Sequence, residues 1–237
     1  LLFIEVNKHL TIVIPSKNEG RGLIEVLELI VDQIDCKIIV ADSSDDEGSF
    51  LLLKNCSEEL GNIKVIRGGL PSVARNNGAK LVRTPYVLFL DADTYVYNPF
   101  LIKESLLTAM QENCDLVTCR FRTDKPYRWV YRLFDVIQWV TAFTKPFALG
   151  GFMLFKTEAF NKLGGFNEED KVAEDYRLSS KVEPKKFKVF NGYVYTSSRR
   201  FSKKGLRYMI WLMFRSWTNR NNSDFFKNDQ NYWNEKD

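Results

Sequence analysis

The chain has 237 residues, 45% apolar and 27% charged, which suits one large α/β core and excludes disorder, collagen and coiled coil as descriptions of the whole. Its 34 basic and 30 acidic side chains leave a formal charge of +4, too mild for a nucleic-acid binder. No apolar run approaches the ~20 residues that span a bilayer; the start, Leu1 to Glu5, lacks a signal peptide's basic region and cleavage site and an initiator Met.

Leu10–Pro15 is a short β-branched run that reads as a strand. Leu23, Val26, Leu27, Ile30 and Val31 then recur at helical spacing, and Ser16 and Glu19 precede them in the pattern of a capping box. Lys37–Ala41 is the next buried strand, ending at Asp42, and Ile63–Ile66 the third, ending at Gly68-Gly69. Ser72 is placed to cap a helix reaching about Val82. Tyr86–Leu90 is a fourth strand, ending at Asp91; Asn98-Pro99 opens a helix with proline at its first position, and Asp115–Phe121 is a strand. Strand–helix alternation with continuously apolar strands predicts a mostly parallel Rossmann-type sheet with helices on both faces. Ligands bind such sheets at the carboxyl ends of the strands, where Pro15–Glu19, Asp42–Asp46, Gly68-Gly69 and Asp91–Thr94 fall.

Beyond residue 119 the pattern is less regular. Tyr127–Phe143 reads as a helix with one narrow polar stripe, Arg128, Arg132, Asp135 and Gln138. Leu149–Phe155 is strand-like, Thr157–Leu163 a short helix, Gly164–Ala173 an acidic loop, Glu174–Val182 a helix and Phe187–Tyr195 a strand. Leu206–Trp217 is a strongly apolar helix, and Asn219–Asp237 reads as a polar surface tail. The charge divides along the chain: 11 basic and 17 acidic side chains in residues 1–119, against 21 and 9 in residues 120–220. All five tryptophans also lie after residue 128, so the second half suits something anionic and partly apolar. Cys36, Cys56, Cys114 and Cys119 form no Cys-x-x-Cys pair and read as free thiols of a reducing compartment. The single histidine, His9, cannot build a multi-histidine zinc site.

Four groups of residues suit chemistry. Asp91-Ala92-Asp93 places two carboxylates on one side of an extended segment, with no basic neighbour in sequence. Such a pair needs a cation, a proton or water, and a hard divalent ion would satisfy it; an Asx-turn closing the strand is the plainer alternative. Glu174-Asp175 is either favourable charge at a helix start or a general base in a cleft. Arg199-Arg200, with Lys203 and Lys204 beyond, suits phosphate or is solubilising charge on a loop. Ala74–Gly78, carrying Arg75, lies near a helix start and could serve a phosphate or a base. Gly-x-Gly-x-x-Gly, Walker A and Gly-x-Ser-x-Gly patterns are absent, which disfavours a nicotinamide dehydrogenase, a P-loop ATPase and an α/β-hydrolase.

Taken in order over residues 10–200, these pieces resemble the family 2 glycosyltransferases of the GT-A fold. The matching segments are Val13–Glu19, Val40–Asp45, Ala74–Ala79, Phe89–Asp93, Gly150-Gly151, Leu163–Phe166 and Ala173–Leu178. The resemblance implies a GT-A-like α/β domain over residues 1–202, with a nucleotide-binding half (1–119) and an acceptor half (120–202), followed by an amphipathic helix and polar tail over 203–237. It implies that Pro15, Asn18, Glu19 and Asp42 line the nucleobase and ribose pocket and that Arg75 sits beside the nucleotide. Asp91 would contact ribose or the metal, Asp93 would ligate Mn2+ or Mg2+, and Gly150 and Gly151 would let the backbone approach sugar or acceptor. Asp175 would be the base, supported by Glu174, and Arg199 and Arg200 would neutralise the leaving diphosphate or hold an acceptor phosphate.

The activity so implied is inverting transfer from a UDP- or GDP-linked sugar to a glycan or lipid-linked acceptor, in glycan or cell-envelope biosynthesis. Departures are the lack of any histidine after position 9, where many relatives supply a metal ligand, Asp42-Ser43-Ser44 where many have two acids and a glycine, and Lys181 where an arginine is common. The alternatives are a sugar-phosphate nucleotidyltransferase, which would need a Gly-rich basic loop after the first strand, and a nucleotide- or glycan-binding module without catalysis. The apolar helices 127–143 and 206–217 either pack on the domain or in a homodimer, or lie in a membrane interface. The expected location is cytoplasmic, with the inner face of the membrane as the site of any such contact.

Overall fold

In a computed structural model that describes residues 4–124 and 126–230, with Arg200 described by its backbone alone, helices and strands alternate through the first half. The order is α1 (Val6–His9), β1 (Leu10–Ser16), α2 (Arg21–Val31), β2 (Lys37–Asp42), α3 (Glu47–Leu60), β3 (Ile63–Arg67), α4 (Pro71–Ala79), β4 (Tyr86–Leu90), β5 (Thr94–Tyr95) and α5 (Leu101–Gln111). The second half adds β6 (Leu116–Arg122), α6 (Arg128–Thr141), β7 (Phe152–Lys156), α7 (Thr157–Lys162), α8 (Glu174–Ser179), β8 (Phe187–Thr196), α9 (Arg199–Lys204), α10 (Leu206–Thr218) and α11 (Ser223–Lys227).

The strands form one mixed sheet in the order β3-β2-β1-β4-β7-β6-β8-β5. β3, β2, β1 and β4 are parallel, as are β6 and β8, while β7 runs antiparallel to β4 and β6 and β5 antiparallel to β8. The pleat alternation of the central strands builds two cores. Ile12 and Ile14, Ile38 and Val40, and Leu88 and Leu90 face the larger one with α2, α5 and α6. Val13, Ile39, Val87 and Phe89 face the other, with Phe160, Phe166 and Leu178. Burial on both faces is why these strands are apolar throughout rather than at alternate positions.

Several local expectations need correction. Ser16 is not a cap: it is still in the sheet, opposite Asp42, and α2 starts from Gly20 with no side-chain cap. Ser72 does not cap α4 either; Leu70 holds that position, Pro71 opens the helix, and the helix stops at Ala79. α5 begins at Leu101, because Asn98 Oδ1 accepts from Phe100 N and holds Asn98-Pro99 in the preceding turn. β7 starts at Phe152 rather than Leu149, and α8 stops at Ser179. α3 was not anticipated, since it buries only Leu53 and Ser57 and so shows no apolar stripe; Asp46 Oδ2 caps it at Ser49 N, 2.8 Å. The expected polar tail is in part core: Phe225 and Phe226 of α11 pack with Leu212 and Val172. Residues 231–237, with Trp233, lie outside the described residues. The four cysteines are free thiols. Among the described residues no helix is long and apolar enough to cross a membrane.

Candidate active site

The parallel run of β1, β2 and β4 brings their carboxyl ends to one edge, which delivers Pro15–Glu19, Asp42–Asp46 and Asp91–Asp93 together. Arg75 of α4 is 4% exposed and forks across this edge. Its Nη2 donates to Asp91 Oδ1 at 2.6 Å and its Nη1 to Glu174 Oε1 at 2.7 Å. Asp175 continues the network: Gly150 N donates to its Oδ2 at 2.8 Å and Tyr176 N to its Oδ1 at 2.7 Å. The arginine and acids that the sequence scattered over 100 residues thus meet in one constellation. The Asp91–Asp93 pair, read as lacking a basic neighbour, has one in space.

Three acids face one guanidinium here. Burial acts to lower the Arg75 pKa, but the charges of Asp91, Glu174 and Asp175 outweigh it, so the pKa is raised and Arg75 stays cationic. Asp175 keeps some exposed surface, while its carboxyl is packed among protein atoms. Desolvation and then the charge of Glu174 raise its pKa from 3.8 to about 6, against the lowering by Arg75 and the two N–H donors. Ala173, just before the pair, is held in the left-handed region at φ 51°, a cost the surrounding structure must offset.

The chemistry of the donors fits a hard divalent ion in part. Asp91 Oδ2 accepts no hydrogen bond among the described residues, and the half-exposed Asp93 lies two residues on. Both offer oxygen ligands of the kind Mg2+ and Mn2+ prefer. No cluster of three or more His, Cys, Asp or Glu able to hold a metal occurs among the described residues.

The other expected site residues form two further groups. Asp42 is buried and accepts from Ser44 Oγ at 2.9 Å; Ser44 Oγ also accepts from Asn18 N at 2.9 Å. Asn18, at φ 55°, is laced to Asp45 by two 3.2 Å bonds, one in each direction. The cavity beside Ser16, Asp42 and Ser44 holds about 30 Å³, room for a water rather than a nucleobase. Pro15, Asn18 and Asp42 make no hydrogen bond to the Arg75 network among the described residues. Glu19 accepts from Arg199 Nη2 at 2.6 Å, and Arg199 opens α9 rather than lying on a loop. The side chain of Arg200 lies outside those described.

Sequence reasoning missed Ser44 as the link between the first two loops, although it stands in the quoted Asp42-Ser43-Ser44 run. It also missed why glycine is needed at 150 and 151. A Cβ at Gly150 would sit 2.7 Å from Arg75 Nη2, and one at Gly151 would sit 2.7 Å from Phe121 Cε1 and 2.9 Å from Thr94 Oγ1. Both glycines admit the protein's own side chains. Gly150→Ala is therefore expected to displace the Arg75 fork and cost about 1–3 kcal/mol of stability as overpacking does, with a clear fall in activity. Thermal melting and single-turnover rates would check this; an unchanged melting temperature and unchanged rate would refute it.

A family model described as "Glycosyl transferase family 2" matches residues 11–164. Among curated relatives, the poly(ribitol-phosphate) beta-glucosyltransferase of Bacillus spizizenii is 29% identical over 102 residues, covering 40% of this chain and 16% of its own. The uncharacterized glycosyltransferase YibD of Escherichia coli is 26% identical over 114 residues, covering 46% and 33%. The chain thus spans at most a third of these relatives' length. Among solved structures, the mannosyltransferase PcManGT from Pyrobaculum calidifontis, in complex with GDP-Man and Mn2+, aligns with a TM-score of 0.73 at 16% identity, over 94% of this chain and 68% of that one. S. aureus TarS 1–349, in complex with UDP-GlcNAc, aligns at 0.63 and 19% identity, over 81% and 59%. These two likenesses are likenesses of fold.

Proposed function

The chain belongs to glycosyl transferase family 2, and from that premise we propose that it moves a sugar from a nucleoside diphosphate sugar to an acceptor hydroxyl or lipid phosphate, with inversion at the anomeric carbon. The observation that carries this reading is the Arg75 fork, which holds the strand-end Asp91 and the Glu174-Asp175 pair in one network. An inverting displacement needs a base on one side of the sugar and a donor site on the other, and no protein nucleophile.

Asp175 is the base. Its two N–H donors fix the carboxylate, and its pKa near 6 keeps it ionised at neutral pH while leaving it more basic than an ordinary aspartate. Glu174 supports it through charge. Pro15, Asn18, Glu19 and Asp42 serve the nucleobase and ribose, which requires the Asn18–Asp45 and Asp42–Ser44 contacts to open around the nucleotide. Asp91 Oδ2 and Asp93 would hold Mn2+ or Mg2+ together with the donor's diphosphate; such an ion offsets charge on a leaving diphosphate. Arg199 and Arg200 serve the diphosphate or an acceptor phosphate. Residues 1–119 bind the donor, residues 120–202 the acceptor, and the described part of 203–237 forms an appended helical segment. The UDP-GlcNAc and GDP-Man held by the two solved structures make UDP- and GDP-sugars the first donors to try.

The test is a thermal-shift series of UDP-, GDP- and dTDP-sugars with and without Mn2+. At a hundred times its Kd, the right donor contributes about 2.7 kcal/mol, or roughly 5–10 °C for a chain of this size. Asp93→Ala should lose the Mn2+-dependent part of that shift. A flat response to every donor, with and without the ion, would remove the proposal.

A further inference from the structure

Helix α6 has an inner and an outer face, and both are apolar. Val130, Tyr131 and Phe134 are buried in the larger core. On the outer side Trp129, Leu133, Val136, Trp139 and Val140 recur at helical spacing, Phe143 follows in the turn just past the helix, and all six are between 45% and 71% exposed. Of the polar stripe read from the sequence, Gln138 is buried and Asp135 is half-buried and paired with Arg122 at 2.9 Å, so only the basic Arg128 and Arg132 are exposed along this side. Helix α10 repeats the arrangement. Leu206, Met209 and Met213 rest on the same core as α6, while Ile210, Trp211, Phe214 and Trp217 are exposed. Phe201 of α9, the helix just before α10, stacks on Tyr127 and meets the Tyr131 edge, so the segment leading into α10 packs against the start of α6.

Surface tryptophan and phenylalanine in this number are not a solvated face. The surrounding charge selects the occupant. Arg199 is paired with Glu19, but residues 201–220 carry five further basic and no acidic side chains, and the acid of α6 is already paired. Arg215 and Arg220 lie over the rings of Trp211 and Trp217, cationic heads beside aromatic bodies. A second copy meeting this face about a two-fold axis would set basic segment against basic segment. An anionic bilayer offers the opposite charge at its headgroups and acyl chain just below, the two environments such a face matches.

We propose that α6 and α10 together form a membrane-docking face that inserts its aromatic residues into the interface of an anionic bilayer. The inner side of α6 connects to the candidate site: the chain beyond α6 passes Phe147, which meets both the buried Phe134 and the Tyr176 that follows Asp175, and then reaches Gly150. If the transferase reading holds, docking sets the acceptor side at the membrane surface and suits a lipid-borne acceptor. That last step rests on the transferase reading; the docking itself does not.

The experiment is flotation of the full chain with phosphatidylcholine vesicles, with and without phosphatidylglycerol, alongside quenching of tryptophan emission by brominated acyl chains. Neither readout requires turnover, so failure here and failure of the catalytic reading are separable. The chain is expected to float with anionic vesicles, less so as salt rises, with its tryptophans quenched. Trp139→Ser combined with Phe143→Ser should weaken binding by about a hundredfold. Its melting temperature should stay unchanged, since both side chains are exposed. Absence of flotation would overturn the proposal, and so would a folded double variant that floats as well as the parent. A dimer seen by light scattering that the same substitutions dissolve, without vesicle binding, would assign the face to a second copy and overturn it equally.

Discussion

Asp175→Asn is expected to lower kcat by about 10²–10⁴-fold, the range of a lost general base, while the protein stays folded. The size of the side chain is kept, and a carboxyl whose ionised form is disfavoured by burial and by Glu174 is replaced by a neutral amide. The pH profile separates this role from a merely structural one. With a pKa raised to about 6, the ionised fraction falls tenfold per unit below that value, so kcat/KM should rise with pH up to about 6 and level off above it. In Asp175→Asn that acid limb should vanish. A variant that keeps most of its turnover, or keeps the limb, removes Asp175 from the chemistry.

Arg75→Met should be the most destabilising single change in the site. Deleting one partner of a buried ion network costs about 3–5 kcal/mol, because the remaining charges lose their compensation; that corresponds to a fall of roughly 6–20 °C in melting temperature. The sign with pH follows from the acids left behind. Without the guanidinium, the charge that lowers the Asp175 pKa is gone, so this carboxyl, already raised by burial and by Glu174, gains a proton more readily in the folded than in the unfolded chain. Stability is then retained at acid pH, where Asp175 is neutral in both states, and lost as pH rises through its raised folded value. The deficit of Arg75→Met against the parent should therefore be widest near and above neutral pH and shrink on acidification. Arg75→Lys keeps one charge but cannot span both carboxylates, so it should lie between the two. A pH-independent deficit would show that packing, not charge, sets the cost.

What could be read in the sequence follows burial. β1, β2 and β4 were legible because burial on both faces writes an unbroken apolar run; α3 was not, because a helix that buries only Leu53 and Ser57 writes no stripe. The expected caps failed for a geometric reason: Ser16 is still hydrogen-bonded into the sheet where a cap would have to leave it. The candidate site residues are legible as types at strand ends and in the order of the motifs. Their grouping is not. Arg75 reaches Asp91 and Glu174 only through the register of α4 on the sheet, which no local spacing encodes. Gly150 likewise looked like room for a ligand, and the room is filled by Arg75 and Asp175. The basic, aromatic character of the second half was visible in composition, but which helix faces carry it needed the packing of Tyr131 and Phe134.

The span of the Arg75 fork also sets when a newly made chain acquires its site. One prong reaches 16 residues along the polypeptide and the other 99. At about 5–20 residues per second of synthesis, Asp91 leaves the ribosome a second or a few seconds after Arg75, and Glu174 only some 5–20 seconds after it. Through that interval the nascent protein holds Arg75 and the strand-end Asp91 without Glu174 and Asp175, and the network closes only when the later half docks.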